Sequence, residues 1–129
     1  MNRLEGKVAI VTGAALGLGR ASALRMADEG AVVAVLDVID EAGEELARTI
    51  LARGGKADFW HCDVSSEAQV AEVINAVADR YGRIDILVNN AGVAGVNKPT
   101  HEITEAESDW VQQINVKGVI FCTKHAIPH

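Results

Sequence analysis

The stretch that decides the fold is KVAIVTGAALGLG, residues 7–19 of this 129-residue chain. Its first part, residues 7–12, is a short and almost continuous apolar run, which is typical of a strand buried on both faces of a parallel sheet. A turn with three glycines follows, and good helix formers then continue as far as residue 29. The stretch therefore predicts a buried strand, a glycine-rich turn and a helix.

The same alternation continues along the chain. Further strands are predicted at residues 32–37, 57–60 and 84–89, and further helices at residues 41–53, 66–81 and from about 104 to 127. Strands that alternate with helices in this way form parallel βαβ units with right-handed crossovers. The sequence therefore predicts one α/β domain over residues 1–129, a doubly wound parallel sheet.

Local spacing predicts the first helix and the starts of two others. Leu18, Ala21 and Leu24 recur at every third position, which indicates the first helix. Two pairs have the spacing of a capping box, Ser66 with Gln69 and Thr104 with Glu107. These pairs predict the starts of the third and fourth helices.

The glycine turn lies where a phosphate group can bind. Gly13, Gly17 and Gly19 allow a tight turn and a close approach of the backbone. The free N–H groups of the first helical turn, aided by the helix dipole, can then hold a pyrophosphate. Glycines at this place could instead serve the turn alone.

Asp37 adds a second indication of a nucleotide. It ends the second predicted strand, 18 residues after Gly19, where a carboxylate can accept both hydrogen bonds of an adenosine ribose diol. A 2′-phosphate would be repelled by Asp37, and Leu16 and Val38 offer no cation to receive it. The pattern favours NAD over NADP, and Arg20 is interpreted as a solvated helix arginine.

Four motifs in the expected order resemble the short-chain dehydrogenase/reductase family. They are TGxxxGxG at residues 12–19, Asp63-Val64 after the third strand, NNAG at residues 89–92, and Asn115 within WVQQINVKG at residues 110–118. The resemblance covers nearly the whole chain. It implies a Rossmann-like fold and an oxidoreductase that moves a hydride between a nicotinamide cofactor and a secondary alcohol or ketone.

The resemblance also implies a role for each motif. The pyrophosphate would bind the backbone amides around Gly13, Leu16, Gly17, Leu18 and Gly19. Asp63 would receive the adenine amino group and Val64 would line its ring, while Asn90, Ala91 and Gly92 would border the adenosine ribose. The NNAG segment also suits an Asx-rich turn that stabilises the fourth strand, and the two roles are compatible.

Asn115 is the one catalytic position of the family that the sequence contains. The family's asparagine supports a proton relay by bending its helix and ordering water, although a buried, satisfied core asparagine would look the same. The family's YxxxK motif is not found, because the single tyrosine, Tyr81, is followed by GRID. The catalytic Ser is likewise not identified. We therefore expect an N-terminal fragment that is inactive alone.

Such a fragment would expose apolar surface. With the strand order 3-2-1-4 that the resemblance implies, the strand at residues 84–89 would keep an open side. The last helix is predicted to turn Val111, Ile114, Gly118 and Phe121 inward, and in a fragment its face from Val111 to Phe121 would lack partners. We expect the chain to be marginally stable or to self-associate as a homo-oligomer. The small-molecule substrate, an alcohol or ketone, cannot be identified further.

Composition excludes several other classes. A net charge of -6 and a pI near 5.1 disfavour nucleic acid as a partner. No apolar run approaches the ~20 residues that span a bilayer, so a cytoplasmic protein is expected. The two cysteines and four histidines lack disulfide or metal-site spacing, and no metal is expected.

Two alternatives stay open from the sequence. The chain could be a non-catalytic NAD-binding or dimerisation module. It could also belong to another class with a glycine loop, such as the methyltransferases, although Asp63-Val64 and NNAG argue against that class.

Overall fold

The computed structural model describes residues 2–129 and shows the predicted alternation of strands and helices. The strands are β1 (Val8–Thr12), β2 (Val32–Asp37), β3 (Lys56–His61) and β4 (Ile86–Val88). The helices are α1 (Gly17–Asp28), α2 (Asp40–Ala52), α3 (Glu67–Tyr81), α4 (Glu105–Gln112) and α5 (Gly118–Ala126). A π-helical segment, Gln113–Lys117, joins α4 to α5, and a 3₁₀ turn at Thr100–Glu102 precedes α4.

All four strands are parallel and lie in the order β3-β2-β1-β4. This confirms the predicted doubly wound sheet. Because the strands are parallel, their carboxyl ends share one edge, which is where open sheets of this kind bind ligands. Thr12 at that edge pairs with Leu36, and Asp37 pairs with His61.

Alternate residues of the central strands enter two separate cores. Ile10 and Leu36 pack on one face of the sheet with Ile74 of α3 and Cys122 of α5. On the other face, residues of β1 and β2 pack with Ala23 of α1 and with Leu46, Ala47 and Ile50 of α2. Because β1 is buried on both faces of the sheet, almost all of its residues are apolar.

Helix α1 forms where the spacing of Leu18, Ala21 and Leu24 indicated it. Leu18 is 81% exposed and Ala21 is also exposed, while Gly19 and Ala23 are buried and Leu24 packs against the core that contains Ala23. A Cβ on Gly19 would stand 2.3 Å from the carbonyl oxygen of Gly13. Close approach to the glycine turn therefore requires the smallest residue at this position.

The capping predictions have different outcomes. Thr104 and Glu107 form the reciprocal capping box at the start of α4. Ser66 caps α3 by accepting from the N–H of Gln69, but the Gln69 side chain accepts from the N–H of Asp63 instead of that of Ser66. Only one of the two hydrogen bonds of the Ser66–Gln69 capping box forms, because the Gln69 side chain binds the N–H of Asp63 just after β3.

The last helical region is only partly exposed, because Gly118 is buried and Ile114 and Phe121 pack against the core that contains Ile74. Strand β4 stands at an edge of the sheet. Large apolar side chains of α4, the π segment and α5, together with the residue that follows α5, are exposed: Trp110, Val116, Val119, Ile120 and Ile127. Over residues 2–129, no helix is both long enough and apolar enough to cross a membrane.

The first testable consequence concerns the contact of α5 with Val64, three residues after β3. A Cβ on Gly118 would stand 2.6 Å from Val64 Cγ2. Gly118→Ala is therefore expected to lower the free energy of unfolding by about 1–3 kcal/mol through overpacking, although Ala is the better helix former. Urea denaturation measures the change. Lys117→Ala, at an exposed neighbouring position, should change it by no more than about 0.5 kcal/mol, and an unchanged or stabilised G118A protein would contradict this packing.

The second consequence concerns pH. Glu29 is buried at the end of α1, where hydrogen bonds from Arg3 lower its pKa to about 2. Arg25 donates to the same carboxylate. Because the folded pKa lies below the unfolded value, this stabilisation is present above about pH 4.3 and is lost as pH falls towards the folded pKa.

Glu29→Gln should therefore melt at a lower temperature than the wild type near neutral pH. The gap between the two melting temperatures should narrow as pH falls from about 4.5 to about 2. Calorimetry of both proteins across this range tests the idea, with Glu41→Gln, an exposed substitution, as the control. A gap that stays constant with pH would contradict it.

Candidate functional site

A cleft of about 440 Å³ opens at the carboxyl edge of the sheet. Its walls come from the turn between β1 and α1, the chain that follows β2 and β3, the loop after β4 and the π-helical segment. The lining residues are Gly13, Leu16, Gly17, Asp37, Val38, Ile39, Cys62, Asp63, Val64, Asn90, Ala91, Gly92, Val93 and Ile114. Five segments that are distant in sequence thus meet around one space.

Most of the sequence-predicted positions lie in this lining. Among the predicted cofactor contacts, only Leu18 and Gly19 do not line the cleft. Leu18 points to solvent, and Gly19 is buried under the turn. Asn115 lies one hydrogen bond away, through Val93. The structure brings these residues together, and their roles in binding stay predictions.

The glycine turn has the conformation that its sequence requires. Gly13 has a φ of 61° and Gly17 a φ of 60°, values that side chains disfavour. A Cβ on Gly13 would stand 2.8 Å from Ala91 Cα, so this position joins the turn to the loop after β4. At Gly17 no other atom lies within 4 Å of a Cβ position, and no side chain caps α1. The first-turn N–H groups therefore have room for an anionic ligand beside them.

Thr12 joins the ends of β1 and β4, a role that the sequence reasoning missed. Its hydroxyl oxygen accepts from the N–H groups of Asn90 (3.0 Å) and Ala91 (2.9 Å) and donates to the carbonyl of Val88 (3.4 Å). Asn90 Nδ2 donates to the carbonyl of Gly13 at 3.0 Å. Thr12 is only 2% exposed. The sequence did contain an indication of this role: a threonine ends a fully buried strand, and a buried hydroxyl needs hydrogen-bond partners.

Asp37 shapes the cleft as well as lining it. Its Oδ2 accepts from the N–H of Ala15 at 2.9 Å, and its Oδ1 accepts from the N–H of Ile39 at 3.1 Å. The carboxylate thus ties the glycine turn to the end of β2. Each carboxylate oxygen can accept a further hydrogen bond, so this structural role is compatible with a bound diol.

The Asp63 carboxylate is also fixed by local bonds. Its Oδ1 accepts from both the N–H (3.0 Å) and the hydroxyl (2.7 Å) of Ser65. Gln113 Nε2 donates to the carbonyl of Ser65 at 2.8 Å, which anchors this turn to the π-helical segment. The carboxylate is therefore held in one orientation at the mouth of the cleft.

Asn115 lies in the π-helical segment and binds the loop after β4. Its Oδ1 accepts from the N–H of Val93, and its Nδ2 donates to the carbonyl of Val93, both at 2.8 Å. π turns are frequent at functional sites, and this one turns the asparagine toward the cleft wall. Asn115 here acts as a clamp on the loop that carries Asn90 to Gly92.

Apolar groups complete the walls, and most of them were not singled out from the sequence. Val38 and Ile39 are exposed at the cleft. Burial, with smaller contributions from Cys122 and Asp63, raises the pKa of the Cys62 thiol to about 12. The thiol therefore stays protonated and contributes a small apolar wall.

The charge of the cleft is negative. Asp37 and Asp63 are its ionisable carboxylates, and its lining contains neither lysine nor arginine. Arg20 lies 3.5 Å from Glu45 of α2 and is not part of the lining. Across residues 2–129, no group of three or more His, Cys, Asp or Glu side chains is placed to hold a metal ion.

The known proteins that this chain resembles include dehydrogenases and another oxidoreductase. The 3beta-hydroxysteroid dehydrogenase of Mediterraneibacter gnavus is 36% identical over 129 residues, which cover 98% of this chain and 46% of that protein. An NAD+-bound xylitol dehydrogenase structure matches with a TM-score of 0.92 and 37% identity, over 96% of this chain and 48% of that one. A metagenomic short-chain oxidoreductase in complex with NADP matches with a TM-score of 0.93 and 36% identity, over 97% and 57% respectively.

The chain spans about half the length of the curated relatives it matches. The family model for short chain dehydrogenases matches residues 7–129, which takes in every strand and helix described above. This chain belongs to the short-chain dehydrogenase family.

Proposed function

We propose that the chain is the NAD-binding part of an oxidoreductase that acts on a secondary alcohol or ketone. The observation that supports it best is the cleft, where the glycine turn, Asp37, Asp63-Val64 and the loop around Asn90 meet although they are far apart in sequence. When bound, NAD would supply the nicotinamide carbon that exchanges a hydride with the substrate.

The residues present suit such a cofactor. The uncapped N–H groups at the start of α1 and the empty space beside Gly17 suit a pyrophosphate. The Asp37 carboxylate suits a ribose diol, and Asp63 with Val64 suits an adenine amino group and ring. Asn90, Ala91 and Gly92 would border the ribose, and their position depends on Thr12.

NAD is the cofactor that the charges favour. A 2′-phosphate near Asp37 would meet a carboxylate and two apolar neighbours, Val38 and Ile39, with no lysine or arginine in the lining. Like-charge repulsion at short range disfavours that complex. We therefore expect NAD to bind more tightly than NADP.

For the reaction itself, we assign Asn115 a supporting role. By holding both backbone groups of Val93, it fixes the loop that borders the cleft. In the complete reaction of the family it would support the proton relay, which also needs the Ser and YxxxK groups that this sequence lacks. The chain alone is accordingly expected to bind cofactor without turnover.

A second candidate is a non-catalytic NAD-binding or dimerisation module. The exposed apolar side chains of α4 and α5 favour it. We propose that the chain forms a homo-oligomer that buries part of this surface, since large exposed apolar patches mark interaction sites. Light scattering that shows a monomer would contradict this assembly.

Calorimetric titration with NAD, NADP and S-adenosylmethionine tests the proposal. We expect NAD to bind, NADP to bind more weakly and S-adenosylmethionine not to bind. An assay of alcohol-dependent NAD reduction on the same sample should show no turnover, and turnover would contradict both the expected inactivity of this chain and a non-catalytic module. Failure to bind NAD would contradict the proposed cofactor site and leave only a dimerisation module.

A substitution at Asp37 tests the ribose contact. Asp37→Asn keeps the size of the side chain but removes its charge. We expect NAD to bind about 10- to 100-fold more weakly, the effect of losing charged hydrogen bonds, and the preference for NAD over NADP to shrink. Asp79→Asn, an exposed aspartate on α3, is the matched control. An unchanged NAD affinity in D37N would show that the Asp37 carboxylate does not contribute to NAD binding.

A further inference from the structure

The loop after β4, residues 89–99, forms one wall of the cleft but contains no helix or strand. Thr12 holds its start, and Asn115 holds both backbone groups of Val93. Val93 is also the last residue of this loop in the cleft lining. The contacts of residues 94–98 therefore determine how far the chain beyond this wall can move.

Residues 94–98 lie against helix α4. Gly95 has a φ of 86°, and a Cβ at this position would stand 3.1 Å from Cγ2 of Val111. Three residues later, Lys98 Nζ lies 2.6 Å from Oε1 of Glu107. Glu107 and Val111 are on successive turns of α4. The far part of the loop is thus attached to α4 at two places, one by packing and one by an ion pair.

The Glu107 carboxylate has two partners. Its Oε2 accepts from the N–H of Thr104 in the capping box, and its Oε1 accepts from Lys98. Both side chains of the ion pair are partly covered, with 37% of Lys98 and 25% of Glu107 exposed. An exposed ion pair is usually weak, partly because two long side chains must be held in one geometry. Here the capping box already orders the glutamate, so the pair has only the lysine left to order.

We propose that Glu107 is a positioning residue for cofactor binding, which holds Lys98 and so fixes the loop whose Gly92 and Val93 line the cleft. This inference rests on the proposed NAD site. The two charged side chains act through the short stretch of chain between Lys98 and Val93. Without the ion pair this stretch gains freedom, and NAD must then order it on binding, which lowers affinity.

Two substitutions remove the ion pair and keep the capping box. Lys98→Met removes the ammonium group. Glu107→Gln removes the negative charge but leaves an amide oxygen that can accept from the N–H of Thr104. Lys98→Arg restores a cation at the same position. Thr104→Ala is the matched control, because it weakens the cap of α4 and leaves the ion pair in place. Calorimetric melting of each variant checks that it is folded.

Hydrogen exchange of the protein without cofactor tests the attachment itself. The N–H of Val93 donates to Asn115, so it exchanges when the loop moves away. We expect this N–H to exchange about two- to fivefold faster in K98M and E107Q than in the wild type, because the ion pair no longer opposes the movement. K98R and T104A should match the wild type. Equal exchange in K98M and the wild type would overturn the inference, whether or not NAD binds.

Calorimetric titration with NAD then measures the consequence for binding. The Kd for NAD should rise about two- to fivefold in K98M and in E107Q, and no further in the double variant, because both substitutions remove the same pair. K98R and T104A should bind NAD as the wild type does. A Kd that is unchanged in K98M and E107Q, or raised equally by T104A, would overturn this inference alone. Absence of NAD binding by the wild type would overturn the proposed cofactor site and this inference together.

Discussion

The hydroxyl of Thr12 is the interaction on which the cleft depends. One buried oxygen accepts two backbone N–H groups from the loop after β4 and donates to the carbonyl at the end of that strand. Asn90 returns a bond to Gly13. These bonds hold the glycine turn and the NNAG loop at a fixed separation, and Gly19 completes the joint because any side chain there would strike the Gly13 carbonyl. Without this joint, the parallel strands would still end at one edge, but the walls of the cleft would not be fixed.

Carboxylates at the same edge have two roles. Asp37 ties the glycine turn to the end of β2, and Asp63 orders the turn after β3. These bonds fix the orientation of the carboxylates before a ligand binds. Less conformational entropy is therefore lost on binding. The same groups make the cleft negative, so one set of residues determines both its shape and its electrostatic preference. Substitution of either aspartate therefore perturbs the loops as well as the charge.

The alternation of strands and helices could be predicted from the sequence, because apolar runs, glycine turns and helix periodicity reflect local physics. The convergence of distant motifs follows because parallel strands share one carboxyl edge, and the strand order was implied by the resemblance to the family. Features that depend on a neighbour in space could not be predicted. Contact with Gly13, for example, requires a glycine at position 19 of α1. The Gln69 side chain accepts from the N–H of Asp63 instead of completing the predicted capping box. The π segment, the clamp of Asn115 on Val93 and the pairing of His61 with Asp40 each require partners 20 or more residues away. Thr12 lay within the deciding stretch, yet its partners are more than 70 residues distant.

A crystal structure of this chain grown with NAD tests the central claim most directly. The account predicts a cofactor whose pyrophosphate contacts the N–H groups between Gly13 and Gly19. Its adenosine ribose should contact Asp37, and its adenine should lie between Val38 and Val64. NAD bound anywhere else, for instance in the cavity of about 420 Å³ at the opposite end of the sheet near Glu5 and Arg53, would contradict it.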